Sequence, residues 1–441
     1  MDIRANSPYS SRRSAVLAGN VVATSQPLAA QAGLTMLARG GNAVDAAIAT
    51  AITLTLVEPS GNGLGSDVFA IVWDGTELHG LNASGRSPAA WTPARFAKHD
   101  QMPFRGWETV TVPGAVSGWV AMSERFGKLP FADLFIPAIG YAEEGFIVTP
   151  VIAKLWQRAA EELGDYPGFA ETFLPDGKAP TAGSRYVNKD FAKTLRLIAE
   201  TKGEAFYRGV LADAICDFAA AHDAALTRED MAAHTADWCG TISQKFDDLE
   251  LHEIPPNGQG IAALMGLGIL SHTRIRDLDA DDPLAFHLQI EAMKLAMLDA
   301  EAYVSDGDHM SEVTSGALLD PAYLASRAAL IDEKRAQDFN VGAPQNGGTV
   351  YMTAADASGM MVSFIQSNYA GFGSGVAIPG TGISMQNRGA GFSLDPTSQN
   401  VVGPRKRPFH TIIPGFLMGP DGPLMSFGVM GGPMQAQGHV Q

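Results

Sequence analysis

Apolar residues in PLAAQAGLTMLARGG recur at helical spacing as far as Gly40-Gly41, which predicts an amphipathic helix ended by the glycine pair. The following NAVDAAIATAITLTLVEP is apolar on most faces, and predicts a second helix over residues 42–56, stopped before Pro59 and buried between layers. VFAIVWDGTELHGLNASG then sets β-rich residues on both sides of Asp74-Gly75, a tight-turn dipeptide, predicting two antiparallel strands. From 114 to 270 the pattern is mostly helical, and LAFHLQIEAMKLAMLDAEAYV predicts a further long helix over 284–304.

Beyond Gly348 the pattern turns to strands and Gly/Pro-rich loops, and no internal repeat is present. The polar, aperiodic segment 338–348, DFNVGAPQNGG, is the one linker-like stretch and leads directly into Thr349. With a turn over 356–359, antiparallel register places Thr349 opposite residues 366–367, within hydrogen-bond reach of Ser367.

Charge narrows the partners. The chain carries 31 Lys and Arg against 47 Asp and Glu, a formal charge of -16, and its longest basic run is Arg405-Lys406-Arg407. Nucleic acid and anionic membrane surfaces are therefore poor partners. Cys216 and Cys239 form no CxxC and have no His at metal spacing, so neither a disulfide framework nor a zinc site is expected. The longest apolar run, 46–57, falls short of the ~20 residues of a membrane span, and the N-terminus lacks a signal-peptide core, so a soluble, cytoplasmic protein is expected.

The chemistry is selected partly by exclusion. No GxSxG elbow exists, GLGSD at 63–67 reads as a tight turn after a helix, and the ten His form no HExxH or HxH, so no metal and no cofactor is expected. Thr349 offers another route: cleavage before it would free an α-amino group, with an ordinary pKa of about 7.7–8.0, as a built-in base for its hydroxyl. Gly348 leaves its carbonyl open to attack by that hydroxyl, although Gly-Gly-Thr before a strand is also ordinary turn chemistry.

The segments VVATSQPLAAQAGLTMLARGGNAVDAAIATAITLTLVEPSGNGLGSD, TVPGAVSGW, PPNGQGIAAL, EAMKLAMLDAEAYVSD, GGTVYMTAADASG, FGSGVAIPGTGISMQN, GPRKRP and MGGPMQAQGH together resemble the γ-glutamyltransferases. These are N-terminal-nucleophile hydrolases whose precursor cleaves itself before a Thr, and the segments occur in family order over almost the whole chain. The resemblance implies an α+β fold, a four-layer αββα sandwich with two stacked antiparallel sheets. It divides the chain into a large-subunit region, 1–348, and a small-subunit region, 349–441, which the family normally extends by several tens of residues. Cleavage at Gly348-Thr349 would yield both subunits of one shared domain, and a dimer of such heterodimers stays open. The resemblance makes Thr349 the nucleophile, Ser367 its hydrogen-bond partner, and Gly431 and Gly432 the oxyanion hole.

Departures from the family pattern bear on substrate. Ser84 stands at the family's carboxylate-binding Arg in NASGRSP, with Arg86 two residues on. In QNRGAGFS, Arg388, next to Asn387, stands where the family has an amide-type residue, and Gly391 where it has an Asp. Tyr369 replaces an Asn, and His410-Thr411 replace a Ser pair. An Arg in place of groups that receive an ammonium would repel a glutamyl α-amino group and could bind a carboxylate bidentately. The pattern is similar to the oxamate amidohydrolase subgroup, and the expected activity is hydrolysis of a small anionic amide such as oxamate to oxalate and ammonia. A γ-glutamyltranspeptidase or glutathione hydrolase, a glutaryl- or cephalosporin-type acylase, and a ligand-binding homologue with little turnover are the alternatives.

Overall fold

A computed structural model describes residues 16–310, 313–338 and 348–441. Most of the linker-like segment and the first fifteen residues lie outside these. In chain order the elements that build the site are β1 (Val21–Thr24), α1 (Pro27–Ala38), α2 (Ala43–Val57), β2 (Asp67–Trp73), β3 (Leu78–Ala83), α3 (Ala115–Phe126), β4 (Asp237–Trp238), β5 (Ile242–Phe246), β6 (Leu249–Glu253), α4 (Gly260–Leu270), α5 (Pro283–Tyr303), β7 (Gly348–Ala355), β8 (Met361–Tyr369), β9 (Gly415–Gly419), β10 (Gly422–Phe427) and α6 (Gln435–Val440).

Among the described residues the two larger sheets are antiparallel, in the orders β1-β7-β8-β2-β3-β4 and β10-β9-β6-β5. The alternation along β2 decides what each face of the first sheet meets. Phe69 and Ile71, with Ile365 of β8, point toward the second sheet and meet Ile254, Ile412 and Phe416. Val68, Ala70 and Val72, with Val362 and Phe364, face the other way and join the core containing α2 and α3. Leu251 of β6 packs with α4, α5 and α6 on the far side of the second sheet. Helices, sheet, sheet and helices thus stack as the expected αββα sandwich.

Helix α2 is where the first helical layer meets the sheet. Asn42 accepts from the Asp45 N–H at 3.0 Å and Asp45 accepts from the Asn42 N–H at 3.0 Å, a reciprocal cap that starts the helix. All of its residues are buried, as its apolar faces require. Gly33 of α1 has no room for a side chain, since a Cβ there would lie 2.3 Å from Thr50 Oγ1, so the two helices approach closely. The Asp356 carboxylate, in the β7–β8 turn, accepts from the Ala43 N–H at 2.8 Å, tying that hairpin to the start of α2.

The helices expected over 42–56 and 284–304 are present as α2 and α5, and Asp74–Glu77 joins β2 to β3 as expected. The mostly helical expectation for 114–270 missed the β5–β6 hairpin. ISQKF and LELHE are rich in polar side chains and mostly half-exposed, so no apolar alternation marks them, and it is pairing with β9 that completes their sheet. Among the described residues no helix is long and apolar enough to cross a membrane.

Candidate active site

Strand β7 runs between β1 and β8, and its first residues lie beside the end of β8. Ladder pairing is regular down to Val350↔Gln366, then shifts so that Gly348 pairs with Tyr369. This bulge puts Thr349 opposite the Ser367–Asn368 step, and Thr349 Oγ1 lies 3.2 Å from Ser367 Oγ. The Tyr369 N–H donates to Ser367 Oγ at 2.8 Å, holding that hydroxyl in place. Thr349 is 8% exposed and Ser367 fully buried, so the pair occupies a largely dry position. The register expectation holds, with the bulge as the added detail.

At the bulge Tyr369 takes φ +75°, a left-handed conformation uncommon for an aromatic residue. Its ring sits over the Arg388 guanidinium, 4.9 Å from ring centroid to Cζ, and packs edge-on against Phe104 at 5.9 Å. Tyr369 also lines an open cleft of about 1900 Å³, together with Thr411 and Gly431. Behind the tyrosine, Arg388 is 1% exposed; Nη1 donates to Thr411 Oγ1 at 2.9 Å, while Nε and Nη2 have no hydrogen-bond partner among the described residues. Those two atoms form the edge of a guanidinium that accommodates a carboxylate bidentately. Burial pushes the Arg388 pKa down to about 10, with the nearby Asp67 carboxylate opposing the shift, so the group stays cationic at neutral pH.

Asp67, the first residue of β2, supplies the counter-charge. Its Oδ1 accepts from the N–H groups of Gly85 at 3.2 Å and Gly114 at 3.1 Å, and its Oδ2 faces His410 Nε2 at 3.2 Å. Both side chains are fully buried. Burial pushes Asp67 up to about 7 despite Arg388, and pushes His410 well below its ordinary value, with Arg388 and Arg407 adding to the effect. Sequence reading passed over Asp67 as part of a turn. Its only sequence signal is an acidic residue leading a strand otherwise composed of VFAIVW.

The glycine pair follows β10, and its approach is organised by backbone shape. Gly431 and Gly432 have φ of +148° and +64°, conformations that disfavour a side chain. Just upstream, Gly428 lies against the Tyr351 ring of β7. Gln259 Nε2 donates to the Gly432 carbonyl at 2.9 Å and to the Thr411 carbonyl at 2.6 Å, so one buried amide ties the glycine loop to the Arg388 contact. Gln259 was not singled out from sequence, because an interior amide in NGQG carries no signal of what it bridges.

The remaining sequence candidates divide. Asn387 supports the site from behind, accepting from the Ala370 N–H at 2.9 Å and donating to the Phe104 carbonyl at 2.9 Å. His410 faces Asp67 and packs at a tilt against the Phe69 ring, and does not line the cleft. The Ser84 hydroxyl is taken up by Asn82 at 2.7 Å, in a network with Asn257. Arg86 pairs with the buried Asp306 at 2.6 Å and with Asp308 at 3.3 Å. The expectation that Ser84, Arg86 and His410 touch substrate therefore finds no support in their placement. Each is spent on an internal partner.

Among the described residues one trio has metal-ligand proximity, Asp74, Glu77 and His79, within 4.8 Å of one another at the β2–β3 turn. Asp74 Oδ1 is engaged by the Thr76 and Glu77 N–H groups, and Arg125 Nη2 donates to His79 Nδ1 at 2.9 Å, which sets a cation beside any ion. The structure thus holds a Thr hydroxyl with a hydrogen-bonding Ser neighbour, and separately a cleft lined by Tyr369, Thr411 and Gly431 with the Arg388 guanidinium over the Tyr369 ring.

Residues 29–441 match the model of the gamma-glutamyltranspeptidase family. The chain belongs to that family. As a gamma-glutamyltranspeptidase-family member it is an amidohydrolase of the N-terminal-nucleophile kind, produced as a proenzyme. It is 40% identical over 418 residues to the oxamate amidohydrolase proenzyme of Klebsiella pneumoniae, covering 93% of this chain and 78% of that protein. It is 36% identical over 419 residues to the glutathione hydrolase-like YwrD proenzyme of Bacillus subtilis, with 93% and 78% covered. The crystal structure of a cephalosporin acylase from Bacillus halodurans superposes with a TM-score of 0.92 at 49% identity, covering 100% of this chain and 83% of that one.

Proposed function

We propose that the protein hydrolyses a small amide carrying a carboxylate next to the scissile group, of the oxamate kind, with Thr349 as nucleophile after cleavage of the Gly348–Thr349 bond. The observation that carries the reading is the buried Arg388 edge, Nε and Nη2, which has no hydrogen-bond partner among the described residues and lies behind Tyr369. A carboxylate entering past Tyr369 would satisfy both donors, whereas an ammonium would meet a like charge. The 40% identity to an oxamate amidohydrolase supports the same substrate class.

In this reading the freed α-amine of Thr349 takes the hydroxyl proton as Oγ1 attacks the amide carbon, with Ser367 orienting the hydroxyl. The N–H groups of Gly431 and Gly432 receive the oxyanion, contributing several kcal/mol on an order-of-magnitude view. Collapse expels the amine as ammonia, which takes the proton held by the α-amine, and leaves an acyl ester on Thr349. Water, deprotonated by the same amine, attacks the ester; the acid is released and Oγ1 regains its proton.

A second reading, an acylase of larger amides, is favoured by the breadth of the cleft and by the 49% identity to a cephalosporin acylase. Ammonia release from oxamate, compared with amine release from γ-glutamyl-p-nitroanilide and from a glutaryl amide, separates the readings. Faster turnover of oxamate is expected. Preference for the glutamyl compound would overturn the role given to Arg388, and preference for the glutaryl amide would favour the acylase.

A further inference from the structure

The charges around Arg388 balance only while the substrate is absent. The guanidinium and the Asp67 carboxylate are both fully enclosed, and His410 lies against Asp67 at 3.2 Å. The Ile412 N–H points at His410 Nδ1 at 3.4 Å, which leaves Nε2 as the protonated nitrogen of a neutral imidazole and aims its N–H at Asp67 Oδ2. The other charged or titratable groups that reach this pair are Arg407, which donates from Nε to the Ser84 carbonyl and from Nη2 to Asp237, and Tyr207. Arg407 has its own carboxylate in Asp237 at 2.6 Å, so a bound carboxylate at Arg388 adds a second anion to the cation that Asp67 already shares, in a buried site where an uncompensated charge is costly.

We propose that the Asp67–His410 pair is a proton acceptor coupled to substrate binding: when a carboxylate engages Arg388, the pair takes up one proton and offsets the negative charge that the carboxylate brings beside Asp67. This rests on the reading of Arg388 as the carboxylate site. Asp67 acts through Arg388 and is a positioning residue. Its carboxylate is already held near 7 by burial in the free protein, so losing Arg388 to a competing anion raises its proton affinity further across neutral pH. The affinity for a carboxylate then falls as pH rises above about 7, because the proton that accompanies it becomes scarcer.

Calorimetric titration of the processed wild-type protein with oxalate, in buffers of differing ionisation enthalpy, tests this. At about pH 7 the expected result is uptake of roughly half a proton per oxalate bound, fading toward about pH 5.5, where the pair already holds its proton. Uptake by the freed Thr349 α-amine would persist in Asp67→Asn, which separates it from uptake by the pair. Asp67→Asn should abolish the uptake, make oxalate affinity flat between about pH 6 and 8, and raise it severalfold at the upper end. Binding heat independent of buffer in the wild-type protein overturns the proposal even if Asp67→Asn fails to fold, as does undiminished uptake in Asp67→Asn. Failure of oxalate to bind the wild-type protein, or equal binding by Arg388→Met, overturns instead the reading of Arg388, and the proton coupling with it.

Discussion

Thr349 Oγ1 and Ser367 Oγ face each other at 3.2 Å across the bulge that ends the β7–β8 ladder, with the Tyr369 N–H holding the serine. A neutral hydrogen bond of this kind contributes about 1 kcal/mol. Ser367→Ala should therefore lower kcat about fivefold to tenfold and leave KM nearly unchanged, because the bond orients the nucleophile and does not touch the substrate. Steady-state kinetics on oxamate checks this; a change confined to KM would contradict it.

Thr349 should also be the residue that opens its own chain. Thr349→Ala is expected to remain a single polypeptide without activity, whereas Thr349→Ser should still separate into two fragments, the smaller beginning at residue 349. Intact-mass spectrometry reads both outcomes, and an active uncleaved Thr349→Ala protein would be incompatible with the proposed mechanism.

Arg388 is the cation of the site, and a Lys cannot reproduce its two-pronged edge. Arg388→Lys should raise KM for oxamate about tenfold to a hundredfold, in line with charge-assisted bonds of about 1.5–3 kcal/mol, and should have far less effect on an amide without the carboxylate. Equal losses on both substrates would mean that the residue serves structure alone.

Arg86 is engaged by Asp306 and Asp308. Removing it leaves the buried Asp306 without its 2.6 Å partner, although the Arg407 N–H still donates to the same carboxylate at 2.8 Å. Arg86→Ala should destabilise the fold by about 1–3 kcal/mol, visible in thermal unfolding, with KM for oxamate unchanged. A selective rise in KM would return Arg86 to the substrate pocket.

Much of the architecture was legible because apolar spacing reports directly on burial. The all-round apolar surface of α2 and the unbroken apolar run VFAIVW in β2 each require cover on both sides, as in an interior helix and an interior strand. The β5–β6 hairpin escaped because half-exposed edge strands such as ISQKF need no such pattern. Thr349 and Ser367 were legible as a pair for a different reason: they belong to one hairpin, and register links residues eighteen positions apart through local geometry alone.

By itself the sequence determined the hairpin that pairs Thr349 with Ser367, and its resemblance to the family implied the sandwich and set an Arg at position 388 where the family has an amide-type residue. Which polar residues face the substrate was decided only by tertiary structure. Ser84, Arg86 and His410 carry suitable chemistry, yet their partners Asn82, Asp306 and Asp67 claim them, and two of those pairings span more than two hundred residues. Asp67 and Gln259 became meaningful for the same reason. A buried charge or amide acquires its role from whatever the folded chain places within about 3 Å of it, and spacing along the chain carries no record of that neighbour.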